Sequence, residues 1–122
     1  MELADFQRRV AQKLAIIPVS GSLSAEDGDV IQKAYETLNE ELGEHGLSWW
    51  NPDEAVPDKF ADVLIGMVAA ALVDDFTIPE PRRTALIAQH GWGLPVPSVN
   101  ERRLRKLAAV PANYDGVVAD YF

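Results

Sequence analysis

The chain contains no cysteine and only two histidines. The lack of cysteine excludes a disulfide framework and thiolate chemistry, and it fits a reducing compartment. His45 and His90 have no histidine, cysteine or carboxylate beside them at the spacing of metal ligands, so we expect no zinc site and no cofactor. The side chains that remain for function are carboxylates, bases and aromatic rings.

A long hydrophobic run is missing as well. The longest uncharged apolar stretch, Val63 to Val73, would be about 16 Å long as a helix, against roughly 30 Å of bilayer hydrocarbon. The first residues, Met-Glu-Leu-Ala-Asp-Phe, do not place a basic region before an apolar one, so no secretory signal is predicted. We therefore expect no membrane partner and a cytosolic protein in the cell that makes it.

Basic residues are scarce, and the formal net charge is -8. This charge argues against a surface devoted to nucleic acid, because phosphate binding requires clustered lysine and arginine. The charge is also unevenly placed: residues 1–75 sum to -10 and residues 76–122 to +2. Such asymmetry is consistent with head-to-tail contact between copies, although helices that simply carry solvated charges would give the same count.

The spacing of apolar residues predicts an all-α protein. Ser24 with Asp27, and the Ser-x-x-Glu capping box of Ser98 and Glu101, mark two helix starts. No alternation typical of strands extends beyond four residues, and the chain has no internal repeat. The predicted helices cover 3–17, from Ser24 to Gly43 or Gly46, from Asp58 to the prolines at 79 and 81, from Pro81 to about Gln89, and from Val99 to about Ala109. We expect a bundle of four to five helices over residues 1–110, followed by an extended C-terminal docking tail over residues 111–122.

The third predicted helix is apolar on nearly every face. Only Asp62 and Gly66 interrupt the run that begins at Phe60. A helix of this kind has to be surrounded by its own domain, by a membrane or by neighbouring subunits. Its length excludes the membrane, which leaves the domain itself or other copies of the chain.

The tail is apolar and aromatic, although Gly116 breaks it and no further packed helix is predicted there. A solvated terminus is usually polar, so the composition indicates docking onto its own domain or onto a partner. The candidate residues are Tyr114, Val117, Val118, Tyr121 and Phe122.

Two adjacent tryptophans form the most informative aromatic feature. A domain of this size cannot easily bury both faces of a pair, so we expect one of Trp49 and Trp50 to be a core anchor and the other an interface residue. Asp74 and Asp75 are expected to pair with Arg82, with Arg83 or with the basic helix of a neighbouring copy. These six residues are our candidates for contact between subunits.

The strongest basic cluster lies on the last predicted helix and consists of Arg102, Arg103, Arg105 and Lys106. As a phosphate site it would need further basic or aromatic support. Contact with an acidic protein surface is the functional interpretation, and a solvated helix face is the structural alternative.

Catalysis is the least supported class of function. Asp74, Asp75 and His90 could serve a hydrolase, but nothing in the sequence aligns a nucleophile or a metal with them, and we expect that the protein is not an enzyme. A small acidic helical regulator that binds one protein through the surface of Trp49 and Trp50 remains an alternative.

Five segments carry a likeness to a known family, and together they span nearly the whole chain. They read AYETLNEELGEHGLSWW, PDKFADVLIGMVAAALVDDF, PEPRRTALIAQ, ERRLRKLAAV and PANYDGVVADYF. The order of these elements resembles the head-to-tail adaptor proteins of tailed bacteriophages, also called connector, head-completion or packaged-DNA-stabilisation proteins.

The resemblance implies a homo-oligomeric ring, typically dodecameric, beneath the portal protein of the filled head. Such a ring extends the DNA channel, through which DNA only passes, and presents a platform for tail or nozzle components. It implies that Arg102 to Lys106 and Tyr114 to Phe122 reach toward the portal. The implied location is the head-tail junction of the virion, after assembly in the host cytoplasm.

Overall fold

The computed structural model describes residues 1–18 and 20–109 and contains five α-helices there, with no strand among those residues. The helices are α1 (Leu3–Leu14), α2 (Ala25–Glu44), α3 (Asp58–Ala71), α4 (Arg82–His90) and α5 (Val99–Ala108). The predicted all-α bundle is therefore confirmed. The predicted docking tail, with Tyr114, Val117, Val118, Tyr121 and Phe122, lies outside the described residues.

Both predicted serine caps are present. Ser24 Oγ accepts a hydrogen bond from the Asp27 amide at 3.1 Å, and Ser98 Oγ accepts one from the Glu101 amide, also at 3.1 Å. Each bond satisfies one of the donors that a helix start leaves without an intrahelical partner. The Glu101 carboxylate accepts from the Gly93 amide at 3.0 Å rather than from the Ser98 amide, so the reciprocal half of the predicted capping box is wrong and Glu101 instead ties α5 to the preceding loop.

Two helices end earlier than predicted. The expected extension of the first helix to residue 17 is wrong, because Ala15 adopts a left-handed conformation with φ of 62°. There the Ala15 and Ile16 amides bond back to the carbonyls of Gln12 and Ala11, which is the Schellman pattern of helix termination. Likewise α3 ends at Ala71 rather than at the prolines, and the Ile78 amide bonds to the Val73 carbonyl at 2.9 Å in the turn that follows.

The apolar helix α3 is the centre of the bundle, and α1, α2, α4 and α5 all pack on it. In α3, Phe60, Ala61 and every residue from Val63 to Ala70 are buried, whereas Asp62 is exposed. Burying one large apolar side chain such as Phe60 or Leu64 stabilises the fold by about 1.5–3 kcal/mol. The domain itself thus surrounds α3, and neighbouring subunits are not needed to cover it.

The N-terminal residues are fastened to the loop that precedes α3. The Val56 amide donates to the Met1 carbonyl at 2.8 Å, and the Met1 nitrogen donates to the Val56 carbonyl at 2.7 Å. These bonds join residues far apart in the chain and hold the proline-containing loop against α1.

Each helix among residues 1–18 and 20–109 is too short or too polar to span a bilayer.

Candidate functional site

An aromatic cluster lies around Trp50 in the loop between α2 and α3. The Trp50 indole nitrogen donates a hydrogen bond of 2.8 Å to the hydroxyl of Tyr35, which is buried on α2. The Trp50 ring also stacks on Phe60, with centroids 4.8 Å apart and an interplanar angle of 25°. Burial raises the pKa of Tyr35 above its usual value, and the bond from Trp50 opposes that shift.

The loop that carries the tryptophans is held by Asn39 of α2. The Ser48 hydroxyl donates to the Asn39 side-chain oxygen, and the Asn39 amide group donates to the Trp50 carbonyl at 3.3 Å. Asn39 is itself buried, so these bonds satisfy an amide that would otherwise be costly to enclose. An asparagine amid the apolar stripe of α2 is the only sequence signal for this anchor.

Trp49 lies on top of this cluster and is 68% exposed. Its ring meets those of Trp50 and Phe60 edge-on, with both centroid distances at 5.5 Å. Trp50 is thus packed against the core, whereas Trp49 is exposed. The interface role expected for one of the two stays a prediction. An exposed indole on a rigid aromatic base is the type of side chain that anchors protein interfaces, because little of its entropy is lost on binding.

The adjacent acids Asp74 and Asp75, which follow α3, differ in their contacts. Asp74 forms an ion pair with Arg83 of α4 in its own chain, which is one of the three partners that the sequence left open. Arg82 donates a hydrogen bond of 3.1 Å to the Lys13 carbonyl at the end of α1. Of these four candidates, Asp75 is the exposed side chain for which the structure gives no such partner, and it is the one left most available for contact with another copy.

The basic cluster of α5 is partly neutralised within the domain. Arg103 pairs with Asp62 of α3 at 2.9 Å, and Arg105 pairs with Glu101 at 3.3 Å. Arg102 donates to the Pro97 carbonyl and keeps its charge unpaired, and Lys106 is exposed one turn further along. Residues four apart share a helix face, so Arg102 and Lys106 form the free positive edge of α5.

A second aromatic site, which the sequence did not indicate, joins this helix to the loop after α4. The Arg105 guanidinium lies over the Trp92 ring at 5.3 Å from its centroid, a cation–π geometry. Trp92 also contacts His45, edge-on at 5.2 Å. The three side chains come from separate parts of the sequence, and no local pattern could have predicted their meeting.

His90 is half-buried where α4 meets α3 and α5, and it lines a cleft beside Lys13 and Arg82. Both ring nitrogens are buried without a hydrogen-bond partner, and the ring lies against Gly66 and Asn100. Burial, with a smaller contribution from the positive charge of Lys13, lowers the pKa of His90, and Asn100 and Asp62 oppose the shift. The structure does not join His90 to the Asp74–Arg83 pair in a hydrogen-bonded site.

In the ranges that the structure describes, no group of three or more histidine, aspartate or glutamate side chains is placed to hold a metal ion. The candidate surfaces are the exposed Trp49, the exposed acids Glu40, Glu41 and Glu44 of α2, and the free basic edge of α5. Comparisons of the chain with protein-family models, with curated proteins and with solved structures found no match.

Proposed function

We propose that this chain is a structural head-to-tail adaptor of a tailed bacteriophage. Copies of it form a ring, dodecameric as in the family that it resembles, which docks under the portal protein and extends the DNA channel. The ring then offers an attachment platform to tail components at the head-tail junction. No catalysis, cofactor or membrane enters this proposal, and DNA only passes through the channel.

The observation that carries the proposal is the exposed Trp49 on its rigid base of Trp50 and Phe60. Tryptophan is enriched at binding hot spots, and an exposed indole that packs on two further aromatic rings is a candidate anchor for such a site. A contact of this kind between copies would bury Trp49 at an interface with a neighbouring subunit.

Charge supports the same proposal. Glu40, Glu41 and Glu44 are exposed near the C-terminal end of α2, whereas Arg102 and Lys106 are exposed on α5. A ring requires a heterologous interface, in which one surface of a subunit meets a different surface of the next. Acidic α2 and basic α5 are complementary in the way that such an interface needs.

The test is the mass of the complex with the portal protein of the same phage, measured by light scattering. The expected result is an assembly with several copies of this chain per portal ring. Removal of residues 111–122 should abolish binding while leaving the helical circular dichroism signal intact. Normal binding by the truncated chain would contradict the role given to the tail.

Charge reversal tests the proposed contact between acidic α2 of one copy and basic α5 of the next. Arg102→Glu combined with Lys106→Glu should weaken assembly more at low salt than at high salt, because salt already screens the contact at high ionic strength. The control is Arg9→Glu, a reversal at an exposed position of α1, which should leave assembly unchanged. Equal loss at both salt concentrations would count against this account.

The alternative is a small acidic helical regulator that binds a single protein through Trp49 and Trp50. The same exposed indole favours it. It predicts a one-to-one complex with no higher assembly, which light scattering separates from a ring.

A further inference from the structure

An open apolar groove with a volume of about 570 Å³ lies between α2 and the C-terminal end of α3. The residues that line it include Ala34 and Thr37 of α2 and Ala70 and Ala71 of α3. Because these side chains are short, they leave the space between the two helices open. Binding sites for ligands have volumes of roughly 300–1,000 Å³, so the groove has room for a large side chain such as an indole.

The rim of the groove is acidic. Glu41 and Asp75 line it against a single base, Lys33, and all three side chains are exposed. Neither Glu41 nor Asp75 forms an ion pair within residues 1–18 and 20–109. The groove therefore matches an apolar ring that has a positive charge beside it.

The surface around Trp49 has this chemistry. The indole is 68% exposed and lies edge-on to Phe60 at 5.5 Å. The ammonium group of Lys59, which is also exposed, lies 5.6 Å from the centroid of the same Phe60 ring. An indole N–H usually finds an acceptor when it becomes buried, and the hydroxyl of Thr37 and the carboxylate of Glu41 in the groove are acceptors.

Trp49 and the groove lie at opposite ends of the central helix. Phe60, against which Trp49 packs, is in the first turn of α3, whereas Ala70 and Ala71 are its last residues. The helix rises by about 16 Å from Phe60 to Ala71, so Trp49 does not reach the groove of its own chain. Each copy thus carries one indole and one distant groove, as a head-to-tail contact between copies requires.

We infer that the Trp49 indole of one copy occupies the groove of the next copy, where Lys59 pairs with Asp75. The inference rests on the association of copies in the proposed function, and it names the surface that receives Trp49. A second copy is the occupant because the chain itself carries both the indole and the cation that match the groove.

Because the sequence lacks cysteine, a disulfide can test this contact. Chains with Lys59→Cys and chains with Asp75→Cys, mixed under a mild oxidant with and without the portal protein, should form a cross-link between residues 59 and 75. Peptide mass spectrometry identifies the bond. No 59–75 cross-link in either mixture would overturn the inference.

A chain with both cysteines tests the head-to-tail order. Residues 59 and 71 are already about 18 Å apart along α3, whereas a disulfide requires Cα atoms within about 7 Å. The bond therefore forms between chains, and the expected product is a ladder of dimers, trimers and larger species. A product that stops at the dimer would overturn the head-to-tail order.

Variants of the indole and of the groove should each reduce the yield of the cross-link about tenfold or more. Trp49→Ala in the first chain removes the anchor, and Ala71→Arg in the second places bulk and positive charge in the groove at an exposed helical position. The matched control is Ala85→Arg, an exposed alanine of α4 that lines a separate cleft, which should preserve the yield. Thr37→Arg repeats the test from α2 if Ala71→Arg fails to fold, and cross-linking that persists in the folded groove variants would contradict the inference.

Exchange of charges tests the ion pair in chains without cysteine. Lys59→Asp and Asp75→Lys should each weaken association about two- to fivefold, as expected for an exposed pair. The double variant should restore it, because the two charges then meet with opposite sign. Losses that simply add in the double variant would show that Lys59 and Asp75 do not meet.

Portal binding, measured separately by light scattering, distinguishes failure of this inference from failure of the proposed function. A chain that joins the portal ring without a 59–75 cross-link would overturn the inference and leave the adaptor role standing. A 59–75 ladder from a chain that does not bind the portal would support the contact and overturn the adaptor role.

Discussion

The Trp50 indole nitrogen and the Tyr35 hydroxyl are joined by a hydrogen bond of 2.8 Å, and this bond connects the surface loop to the core. Tyr35 also packs on Phe6 of α1, with ring centroids 4.8 Å apart. The Tyr35 hydroxyl therefore connects the tryptophan loop to both α1 and α2. Trp49 packs on Trp50, so its position depends on this connection. Stability and the interface candidate are therefore coupled at Tyr35.

Replacing Tyr35 by Phe should lower the free energy of unfolding by about 1–2 kcal/mol. The variant keeps the ring but leaves the Trp50 indole N–H without its acceptor, and an unpaired donor costs its desolvation. Urea unfolding followed by circular dichroism measures the change. Tyr35→Phe combined with Trp50→Phe completes a double-mutant cycle, and purely additive losses would show that the bond contributes nothing.

Trp49→Ala and Phe60→Ala should separate binding from folding. Trp49 is 68% exposed, whereas Phe60 is 2% exposed. Trp49→Ala should cost under about 1 kcal/mol of stability, and Phe60→Ala about 3–5 kcal/mol. If Trp49 is the interface anchor, its truncation should also weaken association by about 2 kcal/mol or more, a loss of roughly 30-fold. A Trp49→Ala chain that assembles like the original would remove this residue from the interface.

Two helical glycines should respond oppositely to alanine. A Cβ at Gly66 would collide with the His90 ring and with the Asn100 amide nitrogen at 2.7 Å, whereas a Cβ at Gly43 meets the Ser48 carbonyl at an ordinary 3.6 Å. Gly66→Ala should destabilise the bundle by about 1–3 kcal/mol, because overpacking outweighs helix propensity. Gly43→Ala should stabilise it by about 0.4–1 kcal/mol. Thermal unfolding of both variants checks the sign.

Stability should fall as the pH drops below the usual His pKa of 6.5, because the pKa of His90 is lowered in the folded state. In this window the unfolded chain takes up a proton that the folded chain resists, so acid favours unfolding. The slope contributed by one group cannot exceed about 1.4 kcal/mol per pH unit. Urea unfolding between about pH 7 and pH 5.5 measures it, above the range where carboxylates titrate.

His90→Gln should flatten this dependence, because glutamine does not titrate. The control is His45→Gln, the same change at an exposed residue, which should preserve the slope. An unchanged slope in His90→Gln would show that another group causes the loss of stability in acid.

Local signals predicted much of the fold. The serine caps at Ser24 and Ser98 act through bonds to residues three positions away, so the sequence contains the whole interaction. The start of α3 at Asp58 was predicted as well, because Pro57 disfavours helical geometry at the residue that precedes the proline. Helix ends were less predictable: Ala15 carries no side-chain signal for its left-handed conformation, and the first helix stops before residue 17.

The candidate surfaces depended on tertiary packing. The sequence predicted that one tryptophan would be a core anchor and the other an interface residue, and the hydrogen bond to Tyr35 shows that Trp50 is the anchored one. The likeness to phage adaptors and the ring that it implies remain a prediction. The ion pairs of Asp74 with Arg83 and of Arg103 with Asp62 likewise depend on how α3, α4 and α5 pack together.

The sequence by itself determined that this protein is a cysteine-free helical bundle, because capping, proline placement and apolar periodicity act over a few residues of backbone. Only the tertiary structure decided that the bundle surrounds α3 without help from other copies, that Arg105 meets Trp92 and that a groove stays open beside α2. These features depend on the packing of helices distant in the chain. Side-chain shape sets that packing, and periodicity does not encode it.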